Sequence, residues 1–529
     1  VTLEDAAEKG FATDQNDVAD ATDLGAESTG VGTPDALVAE PPEAAAVVVE
    51  PAEDAVVVAH TADLSVLDMR PSPGRPRQYH FPRFERFTLS NGLTVVHADL
   101  PGRALLAAQL LLPFGAWNEP AGLAGVTVLA GRAMPEGTRR RDANEFVEAA
   151  ERLGAEIHAD ATWETVSASV EVPKSHFAPA LALLSEMVAE PAFPADEVDR
   201  LRDERLNDLM QAWADPRRRA ERVFPETIYA AETPYSRPLG GVRETVERLD
   251  RDAVAERHRQ LLNPAGATLV VAGDLSGIDI AAVAEVHLGG LASAASAETS
   301  RADAGARDVQ ASASRRIVLV DRPGAAQSEV RIGHVGVARR NPDFHTLSVL
   351  NAILGGTFNS RLNRVIREEL GYTYGIGSSF DMRRGAGPFV IRTAVETAVT
   401  VPAVLEILRI VSDFRDAEVE SDELSVARDY LIGVFPLRFE AAAQVAAALG
   451  GLIVFGLPDD ELDRYRPQVA AVTARDVMSA ANRYIKPEEL SVVIVGDASQ
   501  IELSLRDAGL GEITFVAADA ADAADAAAG

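Results

Sequence analysis

The chain has 529 residues, 47% of them hydrophobic, so it is long enough for more than one domain and can bury substantial cores. It has no cysteine, which excludes disulfides, thiolate metal sites and cysteine nucleophiles and fits a reducing compartment. With 50 Lys and Arg against 81 Asp and Glu the net charge is −31, a balance that argues against nucleic acid as a partner, because phosphates need cations.

The first residues, VTLEDAAEKG, are acidic where a secretory leader would be basic and then apolar. No apolar run approaches the ~20 residues of a membrane span, and a cytoplasmic location is expected. Residues 1–70 hold 16 acids against Lys9 and Arg70, a balance of −14. Residues 1–77 are rich in Ala, Asp and Pro without sustained periodicity, and are expected to form a disordered acidic arm. A first domain is expected over 78–291. It opens at FERFTLSNGLTVVHADLPG, where Asn91-Gly92 between β-prone runs signals a hairpin. GLAGVTVLAGRAMPEGT (122–138) follows as a short helix, its single acid, Glu136, lying beyond the helix. TVSASVEVP reads as a strand and residues 175–190 as a helix, from the apolar spacing. Residues 292–314 are low in complexity and read as a linker to a second domain over 315–516. In that domain PFVIRTAVE reads as a strand and 401–414 as a helix. The tail, 517–529, adds three acids.

The two domains repeat each other. NPAGATLVVAGDLS (263–276) matches KPEELSVVIVGDAS (486–499), each with Pro nine residues before a Gly-Asp that ends an apolar run. Pro264 and Pro487 are 223 apart, DLPG (99–102) and DRPG (321–324) 222, ADEV (195–198) and SDEL (421–424) 226, and Gly154 and Gly371 217. Convergent turn chemistry could produce one such landmark, not four at nearly one offset. The expected fold is α+β: two homologous αβ domains, each an antiparallel-rich sheet with packed helices.

A catalytic zinc needs about three N or O ligands and an open position for water. The nine His stand at 60, 80, 97, 158, 176, 258, 287, 334 and 345, and the nearest two are eleven apart, so no helical His pair exists. There is no phosphate-binding Walker loop, no G-x-S-x-G elbow and no EF-hand loop. The segment LGGTFNSRLNRVIREELGYTYGIGSSF (354–380) stands out. Asn359 or Ser360 can cap a helix over RLNRVIREEL, Gly371 can end it in a left-handed cap, and YTYGIGSSF leaves as a strand. That places Arg367 in the last helical turn and Tyr374 on the strand. Taken alone, Arg367 could pair with nearby acids and Tyr374 could be a core aromatic.

Over roughly residues 80–516 the sequence resembles the pitrilysin/insulinase-like metallopeptidases, which include the mitochondrial processing peptidases. The duplicated halves, LSNGLTVV, GAWNEPAGLAG and above all SRLNRVIREELGYTYG carry the resemblance; the last is similar to the family's S-R-L followed by R-E-x-x-G-x-x-Y. In that family the first half bears zinc on H-x-x-E-H, and the second supplies an Arg and a Tyr that hold the substrate backbone. The resemblance implies those roles for Arg367 and Tyr374, and implies that the two domains together form half of a clamshell. It also places Gly125 and Leu129 at the two His positions, Val128 at the catalytic Glu, and Gln211 at the third ligand. All four reactive groups are replaced, so neither metal nor cofactor is expected in this chain. The implied function is a non-catalytic, substrate-positioning subunit that works on peptides with a homologous H-x-x-E-H partner bearing the zinc. The alternative is a structural or peptide-binding relative with no peptidase activity. A guanidinium and a phenol can hydrogen-bond a peptide carbonyl and stabilise a developing oxyanion, but neither activates water.

Overall fold

A computed structural model describes residue 74 and residues 77–292, 309–312 and 314–517. The expected acidic arm, the tail and most of the linker lie outside the described residues. The Asn91-Gly92 step makes the expected hairpin. Gly92 takes φ +87°, and β1 (Phe84–Thr88) returns antiparallel as β2 (Thr94–Asp99) with Thr88 opposite Thr94. β3 (Leu105–Leu112), β4 (Glu156–Ala161), β5 (Val166–Pro173) and β6 (Thr268–Gly273) complete a sheet in the order β1-β2-β6-β3-β5-β4. The second sheet holds β7 (Ile317–Asp321), β8 (Gln327–Val335), β9 (Ile376–Phe380), β10 (Pro388–Glu396), β11 (Ser491–Gly496) and β12 (Ile513–Val516). Its order is β12-β7-β11-β8-β10-β9.

Five strands of one sheet therefore map onto five of the other in the same order. β2·β6 and β7·β11 are parallel, and the remaining equivalent pairs are antiparallel. Only the edge differs: β1 pairs antiparallel with β2 through the hairpin, whereas β12 comes from the far end of the domain and pairs parallel with β7. The repeated landmarks meet in the same way. Asp274 accepts from the Gly102 N–H at 3.1 Å, and Asp497 from the Gly324 N–H at 3.2 Å. Each domain is a mixed, mostly antiparallel sheet with packed helices, as the sequence repeat implies.

One face of each sheet packs against helices of its own half, including Phe177–Ala189 in the first and Thr400–Asp416 in the second. The other face is covered by a helix from the opposite half. Val445, Leu449 and Leu452 of helix Ala442–Phe455 lie on Val96, Leu111 and Val270. Val223 and Phe224 of helix Pro216–Ile228 lie on Val318, Val390 and Val493. With both faces covered, β6 and β11 are buried at every residue, which is why TLVVAG and SVVIVG read as near-continuous apolar runs. Arg331, almost fully buried, is matched by Glu221 at 2.7 Å and Glu329 at 2.8 Å, tying the exchanged helix to β8. Of the stretch read as linker, residue 311 bridges to Tyr229. No single helix among the described residues is long and apolar enough to cross a membrane.

Candidate functional site

In the first half, the helix at the family's zinc position spans Val126–Ala133. Gly125 precedes it in the left-handed region at φ +97°. A Cβ there would stand 2.5 Å from the Gly240 carbonyl oxygen, and a Cβ on Gly241 would stand 2.1 Å from that of Ala124. Backbone thus fills the space that a side chain at position 125 would need. The helix start is capped from a distance. The fully buried Glu119 carboxylate accepts from Gly125 N–H at 3.0 Å and Thr127 N–H at 2.7 Å, and Arg237 donates to it at 3.1 Å. Burial pushes the Glu119 carboxyl up, and the two N–H groups and Arg237 act against that rise. Arg257 closes the far side, donating to Thr127 Oγ1 and the Gly115 carbonyl, each at 2.9 Å.

Leu129 is 5% exposed inside the core, Val128 is half-buried, and Gln211 faces solvent on helix Ala195–Ala214. These residues do not fit a zinc ion: two carry no donor, one is pinned against a carbonyl, and the fourth is a lone exposed amide. No group of three or more His, Asp or Glu among the described residues could hold a metal. Glu136 lies past the helix, as the sequence indicates, and pairs with Arg200 at 2.9 Å.

In the second half, the expected regular helix over RLNRVIREEL is instead a π-helix at Asn363–Glu369. Asn363 is buried, and its Nδ2 donates to the Ile376 carbonyl at 2.6 Å and to Ser360 Oγ at 3.3 Å. Holding that amide over the start of β9 widens the turn, so Leu370 N–H bonds back to Val365 O rather than to Ile366. The expected side-chain cap from Asn359 or Ser360 is absent, whereas Gly371 ends the helix at φ +65° as expected. Arg361 anchors the helix start by a two-pronged pair to Glu423 at 2.9 and 2.7 Å.

Tyr374 is not on the strand, contrary to expectation. β9 begins only at Ile376, because the Thr373 hydroxyl takes the Ala394 carbonyl of β10 at 2.7 Å, where the next ladder bond would fall. Tyr374 is left in the connecting loop at 91% exposure. Arg367 is half-buried, and its guanidinium lies 4.3 Å above the ring of Phe358, itself 61% exposed. The structure thus sets Arg367 and Tyr374 on a braced, solvent-facing element without pairing them directly. Phe358 is the residue that sequence reasoning missed. It sits in the loop between two helices, where no periodicity marks it.

Among known proteins, the family described as insulinase (peptidase family M16) matches residues 94–241, and the family described as peptidase M16 inactive domain matches residues 248–431. An uncharacterized zinc protease of Mycobacterium tuberculosis is 25% identical over 439 residues, which is 81% of this chain and 96% of that protein. The peptidase M16 inactive domain from Pseudomonas fluorescens superposes with a TM-score of 0.70 at 22% identity, covering 78% of this chain and 98% of that one. A protease from Helicobacter pylori superposes with a TM-score of 0.73 at 18% identity, covering 79% and 100%. At these identities the two structures speak to the fold alone.

Proposed function

Because the chain belongs to the M16/insulinase-like peptidase superfamily yet lacks the zinc motif, we propose that it is the non-catalytic, substrate-positioning subunit of a heteromeric zinc metallopeptidase. The observation that carries this reading is the half-buried Arg367 stacked on the exposed Phe358, with the exposed Tyr374 in the following loop, around a helix braced at its start by Arg361 and Asn363. Folding gains almost nothing from a tyrosine that is 91% exposed. Exposed Arg and aromatic side chains are the composition of binding hot spots, and a π-turn inside a helix is often found at functional sites.

In this reading Arg367 donates charge-assisted hydrogen bonds to a peptide carbonyl, Tyr374 adds a hydroxyl donor, and Phe358 keeps the guanidinium extended. An H-x-x-E-H partner would supply the metal and the water. The test is peptide cleavage by the complex of this chain with such a partner. Arg367→Ala and Tyr374→Phe should leave assembly unchanged and lower turnover, each by about 10²–10³ if it removes an oxyanion-type donor. Arg364→Ala, on the exposed side of the same helix with Glu369 at 3.8 Å, is the control and should retain activity. Equal activity of all three variants would remove the positioning role and favour a structural or peptide-binding protein without peptidase activity.

A further inference from the structure

Helix Ser421–Val434 begins at SDEL and is the second half's copy of helix Ala195–Ala214, which begins at ADEV. Leu424, Ala427, Leu431 and Phe435 face the core of the second half. The opposite side is exposed and carries Val426, Tyr430 and Gly433, with Leu437 in the turn that follows. Val426 is 56% exposed and Leu437 58%. At the 226-residue offset between ADEV and SDEL, the first half holds Arg200, Glu204, Asn207 and Gln211, all exposed and all polar. One position in the repeat thus suits water in the first half and not in the second. A single exposed apolar side chain is ordinary, but a row at spacings of four, three and four residues is the seam of a helix pair. A Cβ on Gly433 would meet nothing within 4 Å among the described residues, so this fold does not require glycine there, and glycine weakens a helix relative to alanine. It leaves a notch beside Tyr430 in which a facing side chain can seat.

The rim of the seam supplies a second observation. In the first half Arg200 is matched by Glu197 and Glu204, each at 2.6 Å, and by Glu136 at 2.9 Å. In the second, the exposed Asp422 and Asp429 flank the seam and, among the described residues, meet only the hydroxyls of Ser421 and Ser425, at 3.4 and 3.5 Å. The helix's own cation, Arg428, turns away to the Ala470 and Val472 carbonyls at 3.2 and 3.1 Å. The seam is therefore apolar with an unmatched acidic rim. A second copy of the chain would set acid against acid and −31 against −31, so self-pairing does not fit this face.

We propose that this face docks an amphipathic helix of a partner protein. Its apolar seam lies on Val426, Tyr430 and Leu437, with one side chain in the notch at Gly433 and Lys or Arg against Asp422 and Asp429. The face includes none of Arg367, Phe358 and Tyr374, and the proposal goes beyond the role given to them. The test is fluorescence anisotropy with the full chain and a labelled helical peptide carrying Leu at alternating spacings of four and three, with Lys beside them. Two controls are the same composition scrambled, and Glu in place of Lys. The first peptide should bind, and each control should bind at least about tenfold more weakly. Val426→Arg, Tyr430→Glu, Gly433→Asn and Leu437→Gln together give the second half the face of the first, and should lower affinity at least about tenfold. Tyr430→Ala alone should lower it by about tenfold, with melting temperatures confirming that both variants fold. Leu503→Gln removes a still more exposed apolar side chain, from helix Ala498–Asp507, and should leave affinity unchanged. Equal binding of the scrambled or Glu peptide, unchanged affinity in folded Tyr430→Ala, or an equal loss in Leu503→Gln would each overturn the proposal. So would sedimentation of the free chain as a dimer that the quadruple variant returns to monomer.

Discussion

Helix Ala143–Leu153 and the π-helix Asn363–Glu369 occupy the same place in the two halves and end at equivalent glycines, Gly154 at φ +62° and Gly371 at φ +65°. The first is a regular helix with a complete capping box between Asp142 and Glu145. At the 217-residue offset, Asn363, Arg367 and Tyr374 of the second half replace Phe146, Ala150 and Ile157 of the first. Phe146 and Ala150 are buried, and Ile157 lies on β4 against the core. β4 begins at Glu156, whereas the equivalent of that residue, Thr373, lies three positions before β9 begins. The second half has given up helical regularity and the end of a strand, and has gained a half-buried Arg and an exposed Tyr. The first half kept its packing and filled its metal position with backbone. One scaffold can thus be tuned for packing or for display by a few residues, while its glycine stops and sheet order stay the same.

The comparison can be broken most strongly at Gly125. Gly125→Ala combines a left-handed backbone with a Cβ 2.5 Å from the Gly240 carbonyl oxygen, and should cost about 2–4 kcal/mol in urea unfolding. A loss below about 1 kcal/mol would show that the interlocked glycines are not what closes this site.

Acid should separate the halves next. His258 is 5% exposed on helix Arg251–Leu261, and its equivalent 223 residues on is the buried Ala481. Burial pushes the His258 imidazole down, against the hydrogen bond from Nε2 to the Val188 carbonyl, which raises it. A depressed folded value means that the unfolded chain takes the proton first. The stability contributed by neutral His258 is therefore complete above about pH 6.5 and is lost as pH falls below it, at no more than about 1.4 kcal/mol per pH unit. His258→Gln should flatten the pH dependence of the melting temperature between pH 7 and pH 5 by that proton. An unchanged slope would assign the acid sensitivity to other groups.

The smallest effect is expected at Gly371. A Cβ there meets nothing within 4 Å, so Gly371→Ala carries only the cost of its φ, about 1 kcal/mol. A loss as large as that in Gly125→Ala would mean that the two glycines do not differ in packing as described.

Much of this was legible in the sequence. The Asn91-Gly92 hairpin, the duplicated strand ends at Gly273 and Gly496 and the Gly371 stop follow from local chemistry and spacing, and the replacement of all four metal-site residues from the family resemblance. What was not legible depends on groups that meet only in three dimensions. The π-turn comes from Asn363 reaching the Ile376 carbonyl, and the displacement of Tyr374 from Thr373 occupying the Ala394 carbonyl. Glu119 caps a helix that begins seven residues later, and Gly125 is held by a loop more than a hundred residues away. Periodicity marks helices Pro216–Ile228 and Ala442–Phe455, but not that each lies on the other half's sheet.

The most direct test of the central claim, that this chain has closed its own metal position, is zinc content after equilibrium dialysis of the purified full chain against micromolar zinc at neutral pH. With Gly125, Val128, Leu129 and Gln211 at the family's reactive positions, the account predicts no stoichiometric zinc and no zinc-dependent rise in melting temperature. One tightly held zinc per chain, with a matching rise in melting temperature that a chelator reverses, would contradict it.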